Sequence, residues 1–169
     1  MLAALAQRAT PRWLDGLHRA EPRYATTALV LLACALPTAL ALALDARTFD
    51  GVAVWLKPLK FQIALAIYAA SLAFFARYLT PAFRSTKAYR VFTWLVVACI
   101  LAETVWITVS AGLAKASHYD ISSPAMQALY GVMGVGAAVL TSAAAQQAWG
   151  IHRNPATVRC LGSVVRVWR

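Results

Sequence analysis

Glu103 is the residue of this 169-residue chain with the most chemical consequence. It is the one charge in an otherwise apolar run from Val91 to Leu113 (VFTWLVVACILAETVWITVSAGL). A carboxylate at the centre of a hydrocarbon-spanning helix costs about 3 kcal/mol, so it must face other helices and be paired or protonated. Two roles fit such a group. One is a proton or cation relay, or an anchor for a ligand; the other is a neutral acid whose hydrogen bond fixes helix register. At 1.5 Å rise per residue, Glu103 lies about 15 Å below the edge marked by Leu113. Tyr68, ten residues past Pro58, reaches the same depth, as does Cys34, ten residues before Leu44. Tyr130 is shallower at about 9 Å, and Lys60, at about 3 Å, is too shallow to meet Glu103 directly. Tyr68 is therefore the expected partner, hydrogen-bonded to a neutral Glu103 at the bottom of an outward-facing polar cleft.

A second cluster belongs to the cleft mouth. Trp55-Leu56-Lys57-Pro58-Leu59-Lys60-Phe61 opens one apolar run, and Ser117-His118-Tyr119-Asp120 follows another. Lys60 falls in the first turn of its helix, where the macrodipole disfavours a cation, which points to an anionic partner: Asp120, a lipid headgroup or a ligand. Snorkelling to headgroups is the plainer role for Lys57 and Lys60, and Trp55 reads as an interfacial anchor. The expected mouth is lined by Lys60, Ser117, His118 and Asp120, with Trp55, Lys57 and Tyr130 as secondary members. His118 and Asp120 alone make too few ligands for a metal site, so no metal is assigned and the cofactor is left unknown. No catalytic residue is assigned either. The chain has no Gly-rich phosphate loop, H-E-x-x-H helix or G-x-S-x-G elbow, and Cys34, Cys99 and Cys160 form no C-x-x-C pair. His18 and His152 carry no haem motif.

The elements that hold these residues follow from composition. Hydrophobic residues are 61% of the chain and charged ones 13%, with a mean hydropathy of +0.62, against about 45–50% apolar in a soluble domain. Four runs approach the roughly 20 residues a membrane helix needs. They cover 25–44, 58–79, 91–113 and 124–149, and are continuous rather than alternating, which makes them helices and not barrel strands. The fold class is all-α: a four-helix transmembrane bundle. Pro37 is expected to kink the first helix and free a carbonyl that Thr38 or a neighbour satisfies. Small residues repeat at Gly131, Gly134, Ala138 and Ser142 in the fourth helix and at Ala66, Ala70 and Ala73 in the second, a spacing expected to pack tightly inside the bundle.

Basic residues set the orientation. Arg8, Arg12, Arg19, Arg23, Arg77, Arg84, Lys87, Arg90, Arg153, Arg159, Arg166 and Arg169 fall on one side, and Arg47, Lys57, Lys60 and Lys115 on the other. Twelve against four places both termini in the cytoplasm. The organisation is then a basic amphipathic, interfacial segment at 1–24, a transmembrane domain at 25–149 and a basic amphipathic tail at 150–169. In the tail, Val158, Leu161, Val165 and Trp168 share one helical face while the arginines take another, the pattern of a segment lying on anionic lipid. Partners are therefore a bilayer with anionic lipid, not nucleic acid. The alanine-rich, disulfide-poor style fits a bacterial inner membrane.

The segment Trp55-x-Lys57-Pro58-x-Lys60-Phe61, then Glu103, Gly112 and Ser117-His118-Tyr119-Asp120, resembles an uncharacterised group of bacterial multi-pass membrane proteins. Those carry W-x-K-P-x-K-F and a G-x-x-S-H-F-N-like segment; here Tyr119 and Asp120 stand for Phe and Asn, and four residues separate Gly112 from Ser117. The resemblance spans about residues 50–135. It implies a membrane fold and no particular activity. Three function classes follow: a small-ligand or ion binding and transport subunit with an outward-facing polar site, an accessory or structural membrane subunit, and a membrane-embedded enzyme. The first leads, and the enzyme reading is last because no nucleophile–base pair is visible. Four helices are few for a transporter acting alone, so transport implies a homo-oligomer or a larger membrane complex.

Overall fold

The computed structural model describes residues 12–117 and 123–156. The chain there is predominantly helical, with six helices and one two-stranded hairpin in the order α1 (Arg12–Ala20), α2 (Pro22–Leu44), β1 (Thr48–Phe49), β2 (Val52–Ala53), α3 (Leu56–Ala76), α4 (Pro81–Ser85), α5 (Lys87–Gly112) and α6 (Pro124–His152). Four of them, α2, α3, α5 and α6, are long and apolar enough to cross a membrane. They match the four expected runs with ends displaced by a few residues. The displacements have local causes. Pro22 opens α2 early, because its missing N–H falls where no helical partner exists. Thr86 caps α5 by accepting from the Tyr89 N–H, and Ser123 caps α6 by accepting from Met126.

The long helices alternate in direction, as their end contacts show. At one end Arg47, just past α2, donates to the Gly112 carbonyl that closes α5. At the other, Arg84 of α4 donates to Ala20 before α2, and Asn154 after α6 donates to Tyr78 after α3. We call these the hairpin end and the opposite end. Residues 157–169 of the tail proposed for 150–169 and residues 1–11 of the leading segment fall outside the described residues; the rest of the leading segment forms α1 and the start of α2.

Small residues make the tightest seam. Ala66, Ala69, Ala73 and Ala76 of α3 are all almost fully buried, and the first three pack with Ala25, Ala28 and Leu31 of α2. Without long side chains between them, the backbones approach closely, which is how helices gain van der Waals contact where lipid gives no hydrophobic drive. Buried threonines satisfy themselves: the Thr27, Thr38, Thr93 and Thr104 hydroxyls each donate to the carbonyl four residues back, at 2.8–3.0 Å. Thr38 thus serves Cys34, not the Ala33 carbonyl that Pro37 leaves without its N–H.

The small residues of α6 are not used as expected. Gly131 and Gly134 meet open space, Ala138 and Ser142 are exposed, and the helix instead buries Leu140, Ala143, Gln147 and Gly150. The reason is azimuth: the Gly/Ala/Ser row turns away from α3 and α5. Outside the seams the surface is apolar. Leu36, Leu40 and Leu44 of α2 are 73%, 60% and 77% exposed, and Val132 and Val135 of α6 are 67% and 66% exposed. A soluble protein would not leave such a continuous apolar face in water.

Candidate functional site

The hairpin end is built around Asp45. This residue closes α2, its N–H donating to the Ala41 carbonyl. Its carboxylate accepts from Arg47 Nε at 3.0 Å and Nη2 at 2.7 Å, from the Arg47 backbone N–H at 3.1 Å, and from Trp55 Nε1 at 2.7 Å. The Arg47 guanidinium, then the Trp55 indole, hold the Asp45 carboxyl well below the usual carboxylate range, and the pairing raises Arg47 in turn. Because Arg47 Nη1 also donates to Gly112 at 3.0 Å, one carboxylate ties together the end of α2, the start of α3 and the end of α5. Trp55 is therefore a hydrogen-bonded strut as well as an aromatic at the helix entrance.

Between Arg47 and Trp55 the chain makes a hairpin, pairing Thr48 with Ala53 and Phe49 with Val52. Its two turn residues, Asp50 and Gly51, have φ of 51° and 77°. Asp-Gly is the pair that tolerates this left-handed geometry, which matches the twist of the flanking strands. The hairpin roofs a cleft of about 530 Å³. Val54, Pro58, Ile107 and Ala111 supply its apolar walls, while Lys57, Lys115 and Ser117 are its polar members on the α3 and α5 sides. Lys57 Nζ donates to Ser117 Oγ at 2.5 Å, and Trp106 Nε1 fixes the Ser117 backbone by donating to its carbonyl at 2.7 Å. Lys115 is placed by the C-terminal wrap of α5, in which its N–H returns to the Ser110 carbonyl and Ala114 adopts φ 50°.

Beneath the cleft the polarity continues. Glu103 lies one turn below Ile107, half-buried, and is in electrostatic reach of Lys57. Gln62, one turn below Pro58, and Ser110, beside Ala111, are each 2% exposed, and the Gln62 Oε1 and Ser110 Oγ atoms have no hydrogen-bond partner.

The expected site residues divide. Ser117 and Lys57 come together at the cleft, with Glu103 beneath them. Lys60 is exposed and does not line it. Counting roughly 100° per residue, Lys60 sits about 200° around α3 from the buried Pro58, so it turns away from α5. Tyr68 departs from its expected role as well. Its hydroxyl donates to the Leu140 carbonyl of α6, so the phenol proton is committed there and not to Glu103. It lines a separate cavity of about 510 Å³ between α3 and α6, with Ser71, Gln147 and His152. Tyr130 is half-buried on α6, apart from the cleft lining. His118 and Asp120 lie outside the described residues. Among those described, no three of His, Cys, Asp and Glu gather as metal ligands.

Three contributors to the hairpin end were not expected, Asp45, Arg47 and Lys115, nor was the burial of Glu21 at the opposite end. The Asp45-x-Arg47 pair and the Asp50-Gly51 turn are visible in the sequence as a short polar connection with a hairpin mark. Glu21 looks like a helix flank, yet it is 4% exposed, its Oε1 lying 3.7 Å from Arg23 Nη1 at the opposite end. No protein-family model matches the chain, and no curated protein or solved structure resembles it significantly.

Proposed function

We propose that this chain is a multi-pass membrane protein, of the bacterial inner-membrane type, whose hairpin end faces outward and binds a small anionic solute. What carries the reading is the roofed cleft of about 530 Å³, where Lys57 and Lys115 outnumber the one carboxylate of the lining, Asp50 in the hairpin turn, with apolar surface between them. A volume of this order suits a small organic ligand, and concave, mostly apolar sites with a few placed polar groups are where such ligands bind. The twelve-to-four distribution of basic residues supports the outward orientation. A carboxylate or phosphate group would sit between the two lysines, with its carbon skeleton against Pro58 and Ile107.

Glu103 enters as a competitor. A solute anion seated on Lys57 draws on the same cation that the Glu103 carboxylate faces, so occupancy and the charge of Glu103 are linked. This is the minimal machinery for coupling solute binding to a proton or cation at mid-membrane. Working as a binding or transport subunit, the chain would act in a homo-oligomer or a larger complex.

The test is thermal stabilisation of the purified full chain by a panel of small carboxylates and phosphates. A solute at a hundred times its Kd stabilises by about 2.7 kcal/mol, well within reach of the measurement. The expected result is that Lys57→Gln with Lys115→Gln weakens the best solute at least tenfold (about 1.4 kcal/mol), while Glu103→Gln tightens it. If no solute stabilises the chain, or if the lysine variants bind as the wild type does, the reading fails and the structural-subunit role takes its place.

A further inference from the structure

A second groove lies at the opposite end, between α2 and α5, with a volume of about 330 Å³. We infer that it is a binding site for one anionic phospholipid, the phosphate held beside Arg23 and an acyl chain lying along Val30, Val97 and Leu101. The inference rests on the membrane-spanning reading of α2 and α5, and is independent of what the outer cleft binds.

The groove is polar at one end only. Arg23 and Thr26 form its head, and the Arg23 guanidinium carbon is 5.7 Å from the centre of the Trp94 ring. Trp94 is 59% exposed, and Arg90 is exposed one turn earlier on the same face of α5. Two cations bracketing an exposed tryptophan is the arrangement found where headgroups meet hydrocarbon. Glu21 offsets part of the Arg23 charge, its Oε1 lying 3.7 Å from Arg23 Nη1 in an ion pair without a hydrogen bond, and Arg90 adds a second cation to the head. The start of α2 adds the positive end of a helix dipole at the same level.

Below the head the lining is apolar. From Arg23 to Val30 and from Trp94 to Leu101 are seven residues each, so both walls run about 10 Å toward the centre of the span. Val30 and Leu101 are 44% and 39% exposed, so the groove stays open along its length to whatever surrounds the helices. A soluble anion would fit the head but leave the apolar trough unused. A phospholipid uses both, and its charge is complementary to Arg23 and Arg90.

The full chain is reconstituted in bilayers of phosphatidylcholine with phosphatidylglycerol, one lipid at a time brominated on its upper acyl chain. The part of the quenching that Trp94→Phe removes reports lipid at the groove. In the wild type, brominated phosphatidylglycerol should quench this component at least fivefold more effectively than brominated phosphatidylcholine. Arg23→Gln with Arg90→Gln should abolish the preference, and inorganic phosphate should not displace the lipid. Arg90→Gln alone, at an exposed position, should lower the preference without disturbing Glu21, so loss of fold in the double variant cannot decide the outcome. Equal quenching by both lipids, unchanged preference in Arg90→Gln and in a folded double variant, displacement by phosphate, or a second protein copy covering Trp94 would each overturn the inference.

Discussion

Asp45 and Lys57 show how much at the residue scale depends on direction around a helix. Asp45 is ionised in a set of hydrogen bonds from Arg47 and Trp55, so its folded-state acidity is stronger than in the unfolded chain. A carboxyl with a depressed pKa contributes stability above its unfolded value, about 3.9, and that contribution disappears as pH falls through the folded value. The hairpin end should therefore be indifferent to pH above about 5 and loosen in stronger acid. Amide-exchange protection across residues 48–55, taken relative to the intrinsic rate at each pH, checks this: acid should lower it in the wild type, whereas Asp45→Asn should be less protected already at neutral pH and lose that acid step. Lys57 carries the lesson about legibility. Depth below the membrane edge follows from residue counting, which set Glu103 level with Tyr68 and out of direct reach of Lys60; that Lys57 comes within electrostatic reach of Glu103 did not follow from it. Azimuth does not follow, because it depends on which neighbours pack. With α3 starting at Leu56 and Pro58 facing inward, Lys57 reaches Ser117 while Lys60 points elsewhere, and Tyr68, at the right depth, turns to α6 instead.

At the scale of elements, the four long helices were legible because length and hydropathy alone mark them, but the use of their glycines was not. Gly150 is a close-approach position: a Cβ there would lie 2.5 Å from Leu79 Cδ2 and 2.9 Å from Phe83 Cε1. Leu79 is itself 3% exposed and has little room to yield. Overpacking costs typically about 1–3 kcal/mol, against a gain in helix propensity of at most about 1 kcal/mol. Gly150→Ala should therefore lower the thermal midpoint in detergent. Gly134→Ala, on the same helix but meeting open space, should leave it unchanged or raise it by up to about 1 kcal/mol equivalent. The reverse order would mean that α6 packs by its Gly131–Gly134 face. The hairpin, by contrast, is announced by Asp50-Gly51 between short runs containing Thr, Phe and Val, a local signal that needs no tertiary context.

At the scale of the whole molecule, the cleft proposed to open outward under the hairpin and the lipid groove proposed at the opposite end rest on one orientation, set by the side to which most basic residues fall. All of it turns on the cleft opening outward, which thiol labelling in intact cells examines most directly. Single cysteines are introduced in a background without Cys34, Cys99 and Cys160, one as Ala53→Cys on the cleft wall and one as Ser85→Cys at the opposite end. A membrane-impermeant thiol reagent should modify the residue-53 variant in intact cells, and the residue-85 variant only after the cells are opened. Labelling at 85 with protection at 53 in intact cells would contradict the account, turning the cleft to the cytoplasm.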